Sequence, residues 1–381
     1  MKPAERTEGE AADIATRLLA WYDRHARRLP WRVGPAERAA GVLPDPYRVW
    51  LSEVMLQQTT VAAVRSYFDT FVRQWPTVEK LAAAADDDVM RAWAGLGYYS
   101  RARNLIAAAR AVAAAGGFPD QAVALTKLPG IGRYTASAIA AIAFDRPEAV
   151  VDGNVERVIA RLFAIAESGA EAKRLILAEQ ERLTPHERPG DYAQAMMDIG
   201  ATICTPKRPA CALCPLNDDC EAAAEGRPEA YPVKAARTAR PTRYGRAFVA
   251  VREDGAILLR RRPPKGLLGG MAEVPGSAWS GEHPGDDEGS PTKLPWRRVA
   301  GKVVHVFTHF RLELEVLTAE AGADVPAPDG AWWSAAEDIR GEALPSVMKK
   351  VIEAARPGAT LAKPPGPVPS GRRHGGGRSA A

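Results

Sequence analysis

The stretch Cys204-Thr-Pro-Lys-Arg-Pro-Ala-Cys211-Ala-Leu-Cys214-Pro-Leu-Asn-Asp-Asp-Cys220 contains every cysteine of a 381-residue chain. Gaps of six, two and five residues let four thiolates wrap one metal centre. Iron–sulfur clusters take four thiolates. Structural zinc does so too, but zinc ribbons pair two short C-x2–4-C knuckles across a longer gap, and only Cys211 and Cys214 form such a knuckle. The spacing therefore predicts a [4Fe–4S] module on Cys204, Cys211, Cys214 and Cys220, with zinc as the alternative. Disulfides are disfavoured, because no secretory segment accompanies the cysteines.

The start, Met-Lys-Pro-Ala-Glu-Arg, mixes charges and lacks an apolar run, so neither a signal peptide nor a membrane anchor is expected and the protein reads as cytoplasmic. At this length two to three domains are expected. The net charge of +5 is weak evidence for nucleic-acid binding, since Lys363, Arg372, Arg373 and Arg378 lie in an acid-free stretch from Gly358 onward. Any case for DNA must rest on motifs.

Upstream of the cysteines, apolar residues recur at helical spacing in Ile14–Trp21, Val49–Thr60, Asp88–Trp93, Arg103–Ala114 and Tyr134–Phe144, with no strand pattern between them. Residues 1–232 are read as one helical domain. Val233–Arg243 carries Lys234, Arg237, Arg240 and Arg243 every third residue and reads as a basic linker. Beyond it the periodicity changes: Arg246–Arg252, Ala256–Arg262 and Val303–Leu317 are β-branched and partly alternating, with Glu253-Asp254-Gly255 as hairpin-turn chemistry. Residues 244–357 are read as an α+β domain containing a polar loop at Gly276–Trp296. The Pro/Gly-rich basic composition of 358–381 predicts disorder.

Three further elements carry chemistry. In Leu128-Pro-Gly-Ile-Gly-Arg-Tyr134, Gly130 and Gly132 precede an apolar helix; backbone N–H groups at such a helix start face an anion. With a short helix at about Ala122–Lys127 this makes a helix-hairpin-helix over about 122–144 that grips a DNA phosphate, against the alternative of a plain helix–helix turn. Val151-Asp-Gly-Asn-Val155 places Asp152 at the start of the next helix, as an N-cap or as a working carboxylate. Glu53, in Trp50-Leu-Ser-Glu-Val-Met-Leu-Gln-Gln-Thr59, is an acid in an apolar helix with no basic residue at i+3 or i+4. Gln57 shares its face, and burial raises a carboxyl pKa and keeps the group protonated as an acid.

In their order along the chain these motifs, with Leu29-Pro-Trp-Arg32, Gly95-Leu-Gly-Tyr-Tyr-Ser-Arg-Ala-Arg-Asn-Leu105 and Ala195-Met-Met-Asp-Ile-Gly-Ala201, resemble the helix-hairpin-helix DNA glycosylase superfamily, and within it the MutY-type adenine DNA glycosylases. The resemblance is dense over about Leu29–Pro232 and sparser over Tyr244–Ala355. It implies a mainly α helix-hairpin-helix glycosylase fold with a [4Fe–4S] module, followed by a Nudix-like α+β domain. It also implies a monomeric, nucleoid-associated enzyme that acts on double-stranded DNA and removes adenine mispaired with 8-oxoguanine or guanine.

An N-glycosidic bond breaks through an oxocarbenium-like state that needs an acid on the leaving group and an anion near the sugar. The resemblance assigns these roles to Glu53, protonating adenine at N7 and later helping to activate water, and to Asp152, stabilising the sugar cation, with Tyr134 beside them. In endonuclease III-type enzymes a lysine stands in the place of Tyr134 as a Schiff-base nucleophile, so strand-cleaving lyase activity is expected to be weak or absent. Gln58 and Tyr98 are the candidates to fill the hole left by an extruded base, while Tyr99 reads as core. Lys207, Arg208 and Arg188 are candidate cations for the DNA backbone.

The second domain resembles the MutY C-terminal domain without the acidic Nudix catalytic helix, so no nucleotide hydrolysis is expected. Arg262–Met271 is similar to its glycine-rich loop. Phe307, Thr308 and His309 fall at the lesion-reading hairpin, where the family usually has Phe-Ser-His. Two other function classes stay open at this point: an endonuclease III-like glycosylase/lyase acting on oxidised pyrimidines, and a non-catalytic iron–sulfur DNA-binding protein.

Overall fold

The computed structural model describes residues 7–93, 95–234, 240–263 and 266–361. The chain divides into two compact units, Met1–Arg237 and Thr238–Ala381. The first is all helix: α1 (Glu8–His25), α2 (Pro35–Ala39), α3 (Pro46–Leu56), α4 (Val61–Gln74), α5 (Val78–Ala82), α6 (Asp86–Ala92) and α7 (Ser100–Ala114) form its first half. Then come α8 (Ala122–Leu125), α9 (Arg133–Phe144), α10 (Gly153–Leu162), α11 (Gly169–Leu183), α12 (Pro189–Thr202) and, after the fourth cysteine, α13 (Glu221–Ala224).

Three of these helices are apolar nearly all round and make the centre. Residues Pro189–Gly200 of α12 are all buried, as are Thr135–Ile142 of α9 and most of α3. Small residues let them approach. A Cβ on Gly200 would stand 2.5 Å from the Asn154 Cβ, so only glycine there lets α12 press against the start of α10. The start of α3 follows its sequence: Asp45 accepts a hydrogen bond from the Tyr47 N–H at 2.9 Å, and Pro46 occupies the first turn.

The end of α3 differs from the helix predicted over Val49–Thr60. It stops at Leu56, because Gln58 turns left-handed (φ 57°). Gln57 and Gln58 therefore stand on a loop, and the shared helical face of Glu53 and Gln57 is lost, although both side chains still line one cavity.

The second unit holds a seven-stranded mixed sheet: β1 (Thr242–Arg252), β2 (Ile257–Arg261), β3 (Ala272–Glu273), β4 (Arg297–Arg298), β5 (Val303–Val306), β6 (Arg311–Ala321) and β7 (Ala331–Ser334). Its order is β3-β2-β1-β6-β4, with β5 also on β6 and β7 also on β2. The long β1 and β6 run parallel in register from Thr242↔Arg311 to Arg252↔Ala321. All other pairs are antiparallel. One face is covered by α14 (Ser346–Ala355) through Val347, Met348, Val351 and Ile352.

Gly255, at φ 84°, makes the β1–β2 turn with Asp254 accepting from the Ala256 N–H at 3.0 Å. The β-branched run Val303–Leu317 divides into β5 and β6 at the expected hairpin, with 307–310 as its turn, where the Phe307 N–H donates to the Phe310 carbonyl. The predicted linker to Arg243 ends earlier, since β1 begins at Thr242. Disorder expected from Gly358 is corrected at its start: Glu353 accepts from the Gly358 N–H at 2.7 Å and from the Thr360 hydroxyl at 2.6 Å. The rest of the predicted tail, from 362, lies outside the described residues, as do 235–239 of the linker.

Candidate active site

A cavity of about 430 Å³ opens between α3, α9, α10 and α12. Glu53 enters from α3, Tyr134 from the first turn of α9 and Asp152 from the N-cap of α10. The Tyr134 hydroxyl donates to Glu53 Oε2 at 2.8 Å. Asp152 is a cap and a cavity residue at once: Oδ1 accepts from the Asn154 and Val155 N–H groups at 2.9 and 2.7 Å, and Oδ2 from Asn154 Nδ2 at 2.9 Å.

Burial decides the protonation of Glu53. Glu53 is only 7% exposed. Burial pushes its pKa up to about 7, against the pull of the Tyr134 hydrogen bond; the Asp152 charge adds to the rise and Arg32 opposes it. Tyr134 is held well above the ordinary phenol range by burial, with the Glu53 and Asp152 charges adding to it. It remains a donor. A proton reservoir at Glu53 beside an Asp152 carboxylate held by N–H donors is what departure of an electron-rich leaving group requires.

Behind the acids runs a fixed network. Asp198 on α12, fully buried, accepts from the Arg27 N–H and Nε at 2.9 and 2.6 Å and from Arg32 Nη1 at 2.8 Å. It thereby fixes two cations that line the cavity. Asn154 Oδ1 accepts from Arg157 at 2.9 Å, and Arg157 in turn donates to the Gly200 and Cys204 carbonyls, both at 2.7 Å. Asp152 is therefore tied through Asn154 and Arg157 to the first cysteine.

The four cysteines line one small cavity together with the buried Arg161. Arg161 donates to the Thr205, Pro206 and Tyr231 carbonyls and stands 3.3 Å from Cys204 Sγ. Burial pushes the Cys214 thiol up to about 12, so an unligated thiolate is disfavoured and a bound metal centre supplies the charge that offsets desolvation. The donor set fits a cluster held by four thiolates.

The residues expected at DNA fare unevenly. Gln58 and Tyr98 are both exposed and both left-handed, at φ 57° and 49°. Tyr98 is 57% exposed, whereas Tyr99 packs against the core. Gly130 takes φ 73°, and Gly132 caps α9 with open space beside its Cα. Lys207 and Arg208 are exposed. Arg188 corrects its expectation as a cation for DNA, because its guanidinium is already paired with Asp23 and Asp191.

In the second unit Thr308 and His309 are exposed at the tip of the β5–β6 hairpin. Phe307 is half-buried between Trp279 and Phe310, at ring-centroid distances of 5.8 and 4.8 Å. Sequence reasoning missed Asn154, Arg157, Asp198 and Arg101. Arg157, Asp198 and Arg101 act on backbone or side chains distant in the chain, whereas Asn154, two residues from Asp152, carried a local signal.

Three family models match: the HhH-GPD superfamily base excision DNA repair proteins over residues 51–185, the iron-sulfur binding domain of endonuclease III over 204–220, and the NUDIX domain over 246–354. The cofactor motif is thus that of a [4Fe–4S] protein, not of a zinc ribbon. Human adenine DNA glycosylase is 35% identical over 412 residues, spanning 91% of this chain and 74% of its own length. The Schizosaccharomyces pombe adenine DNA glycosylase is 29% identical, spanning 87% of each. Among solved structures, a thermostable thymine-DNA glycosylase is 26% identical over 57% of this chain and 98% of that one, with a TM-score of 0.49. With the human and Schizosaccharomyces pombe adenine DNA glycosylases matched across both units, and with Glu53, Tyr134 and Asp152 gathered in one cavity ahead of a four-cysteine module, the chain belongs to the adenine DNA glycosylases.

Proposed function

We propose that this enzyme excises adenine opposite 8-oxoguanine or guanine in duplex DNA as a monofunctional glycosylase acting as a monomer in the cytoplasm, at the nucleoid. The observation that carries the chemistry is the Tyr134–Glu53 hydrogen bond at 2.8 Å with Asp152 across the same cavity. Glu53 passes its proton to N7 of the extruded adenine, and the electrons of the C1′–N9 bond leave with the base. Asp152 stabilises the cationic sugar. Water then adds to C1′ as the Glu53 carboxylate takes up its proton, which restores the resting acid. Among the described residues no lysine lines the cavity, so no amine stands ready to form a Schiff base, and this supports weak or absent lyase activity.

Gln58 and Tyr98 fill the space vacated by the extruded nucleotide. Gly130 and Gly132 present backbone N–H groups to a phosphate. Phe307, Thr308 and His309 read the opposing 8-oxoguanine: an exposed hydroxyl and imidazole beside an aromatic ring offer hydrogen bonding and stacking to an oxidised purine. Residues 1–232, 244–357 and 358–381 then serve as catalytic domain, lesion reader and basic tail. The decisive measurement is single-turnover release of adenine opposite 8-oxoguanine, guanine and thymine, with strand scission scored before and after alkali. Fast release opposite the first two with alkali-dependent scission is expected. Equal release opposite thymine, or scission without alkali, overturns the assignment.

No helix among the described residues is long and apolar enough to cross a membrane.

A further inference from the structure

Arg101, on α7, is 8% exposed and makes no ion pair among the described residues. Its Nη1 donates to the carbonyls of Val54, Met55 and Gln57 at 3.1, 2.9 and 2.6 Å. Its Nη2 donates to Thr59 Oγ1 at 3.2 Å and to the Leu96 and Gly97 carbonyls at 3.0 and 3.3 Å. One guanidinium thus closes the C-terminal end of α3, which carries no basic residue in its own last turn, and binds that end to the loop before α7. Its Cζ lies 5.5 Å from the centroid of the Tyr98 ring and 5.2 Å from that of Trp93.

The two loops so joined share a second property. Each turns through a left-handed residue that is not glycine, Gln58 on one and Tyr98 on the other. Such conformations are disfavoured for residues with a Cβ and persist where the surroundings over-determine them. Both side chains are exposed. A cap for α3 would need only the first three acceptors; Thr59 extends the hold along the Gln58 loop, and the Leu96 and Gly97 carbonyls on the other loop fix the distance between the Gln58 arm and the Tyr98 arm.

We infer that Arg101 is the positioning residue for base extrusion, a buried strut that sets the Gln58 and Tyr98 arms at a fixed separation so that both enter the duplex together. The inference rests on the reading of Gln58 and Tyr98 as the residues that fill the vacated space. Lysine cannot replace it, because a single ammonium offers three donors at one point while the planar guanidinium spans both loops.

The test compares Arg101→Lys with Gln58→Ala and Tyr98→Ala on two duplexes, one with adenine opposite guanine and one with adenine opposite an abasic site. Unstacking is easiest for an unpaired base, so the second substrate needs the arms least. Extrusion is followed independently by 2-aminopurine fluorescence. Arg101→Lys is expected to slow single-turnover excision opposite guanine by on the order of tenfold or more. It should weaken the fluorescence rise in parallel, stay near wild type opposite the abasic site, and retain its iron.

Equal losses on both substrates would make Arg101 a general support of α3 and overturn the inference. Wild-type rates for Arg101→Lys, with losses in the other two variants, would overturn it while leaving the arms assigned. Wild-type rates for Gln58→Ala and Tyr98→Ala would remove the arms, and the inference with them. If Arg101→Lys loses iron or cooperative melting, Thr59→Val, which deletes one acceptor between the loops at nearly constant volume, decides on the same pair of substrates by the same criteria.

Discussion

Glu53 is kept protonated by burial at a point where the folded chain would be more stable with a neutral side chain. In the folded state its pKa is about 7 against an ordinary 4.5. Between those values the folded chain binds the proton that the unfolded chain has released, so its contribution to stability is full below about pH 4.5 and is lost as pH rises through about 7. Glu53→Gln should therefore abolish excision yet melt higher than the wild type at pH 8, by an amount on the order of 3 kcal/mol in stability, with the gap closing toward pH 4.5. A constant gap across that range would show that the carboxyl is not perturbed. For the wild type, single-turnover excision should fall as pH rises through about 7, as the acid loses its proton. Asp152 is tested by contrast: Asp152→Asn preserves an acceptor for the Asn154 and Val155 N–H groups but loses the one for Asn154 Nδ2, and so should lose activity at a smaller cost in stability than removal of the cap. Asp152→Ala should additionally lose about 0.5–2 kcal/mol as a broken N-cap. Thermal melts beside excision rates separate the two roles.

In the proposed function, opposing-base selectivity is carried by the hairpin between β5 and β6. Thr308 and His309 are exposed, so alanine at either position should leave the melting temperature near wild type. As hydrogen-bond readers they should each weaken action opposite 8-oxoguanine relative to guanine by about 0.5–1.5 kcal/mol. Loss shared equally between the two opposing bases would remove the hairpin from recognition. Phe307 is held from behind by Trp279, whose ring lies under the Arg262 guanidinium at 4.8 Å. Trp279→Ala deletes an aromatic pair valued at about 0.5–1.5 kcal/mol beyond its burial. It should therefore lower both stability and 8-oxoguanine selectivity, a combination that the Thr308 and His309 variants should not show.

Across the helical unit the metal module and the acids are mechanically continuous: Cys204 is bound by Arg157, Arg157 by Asn154, and Asn154 by Asp152. The purified protein should be brown and contain iron with labile sulfide. Removing the iron should slow excision on the order of tenfold or more even when DNA is saturating, since displacement of the Cys204 backbone reaches Asp152 through two side chains. A colourless, fully active protein would contradict both the cluster and the coupling.

The helical and α+β halves, the cysteine module, the hairpin glycines and the two acids were legible because each leaves a local trace. Helical periodicity, strand alternation, cysteine spacing and an acid in an apolar run are all properties of neighbours in the chain. The end of α3 was not legible. Nothing near Gln58 in sequence announces a left-handed turn, because the group that stabilises it, Arg101, lies 44 residues beyond Gln57. The same holds for Asp198, whose partner Arg27 is 171 residues away, and for Arg188, which reads as a free cation until Asp23 is brought beside it. Sequence alone determined most of the elements and which residue types stand on them. Tertiary structure decided which buried polar groups serve one another, since a donor or acceptor removed from water must find its partner wherever the fold has placed one.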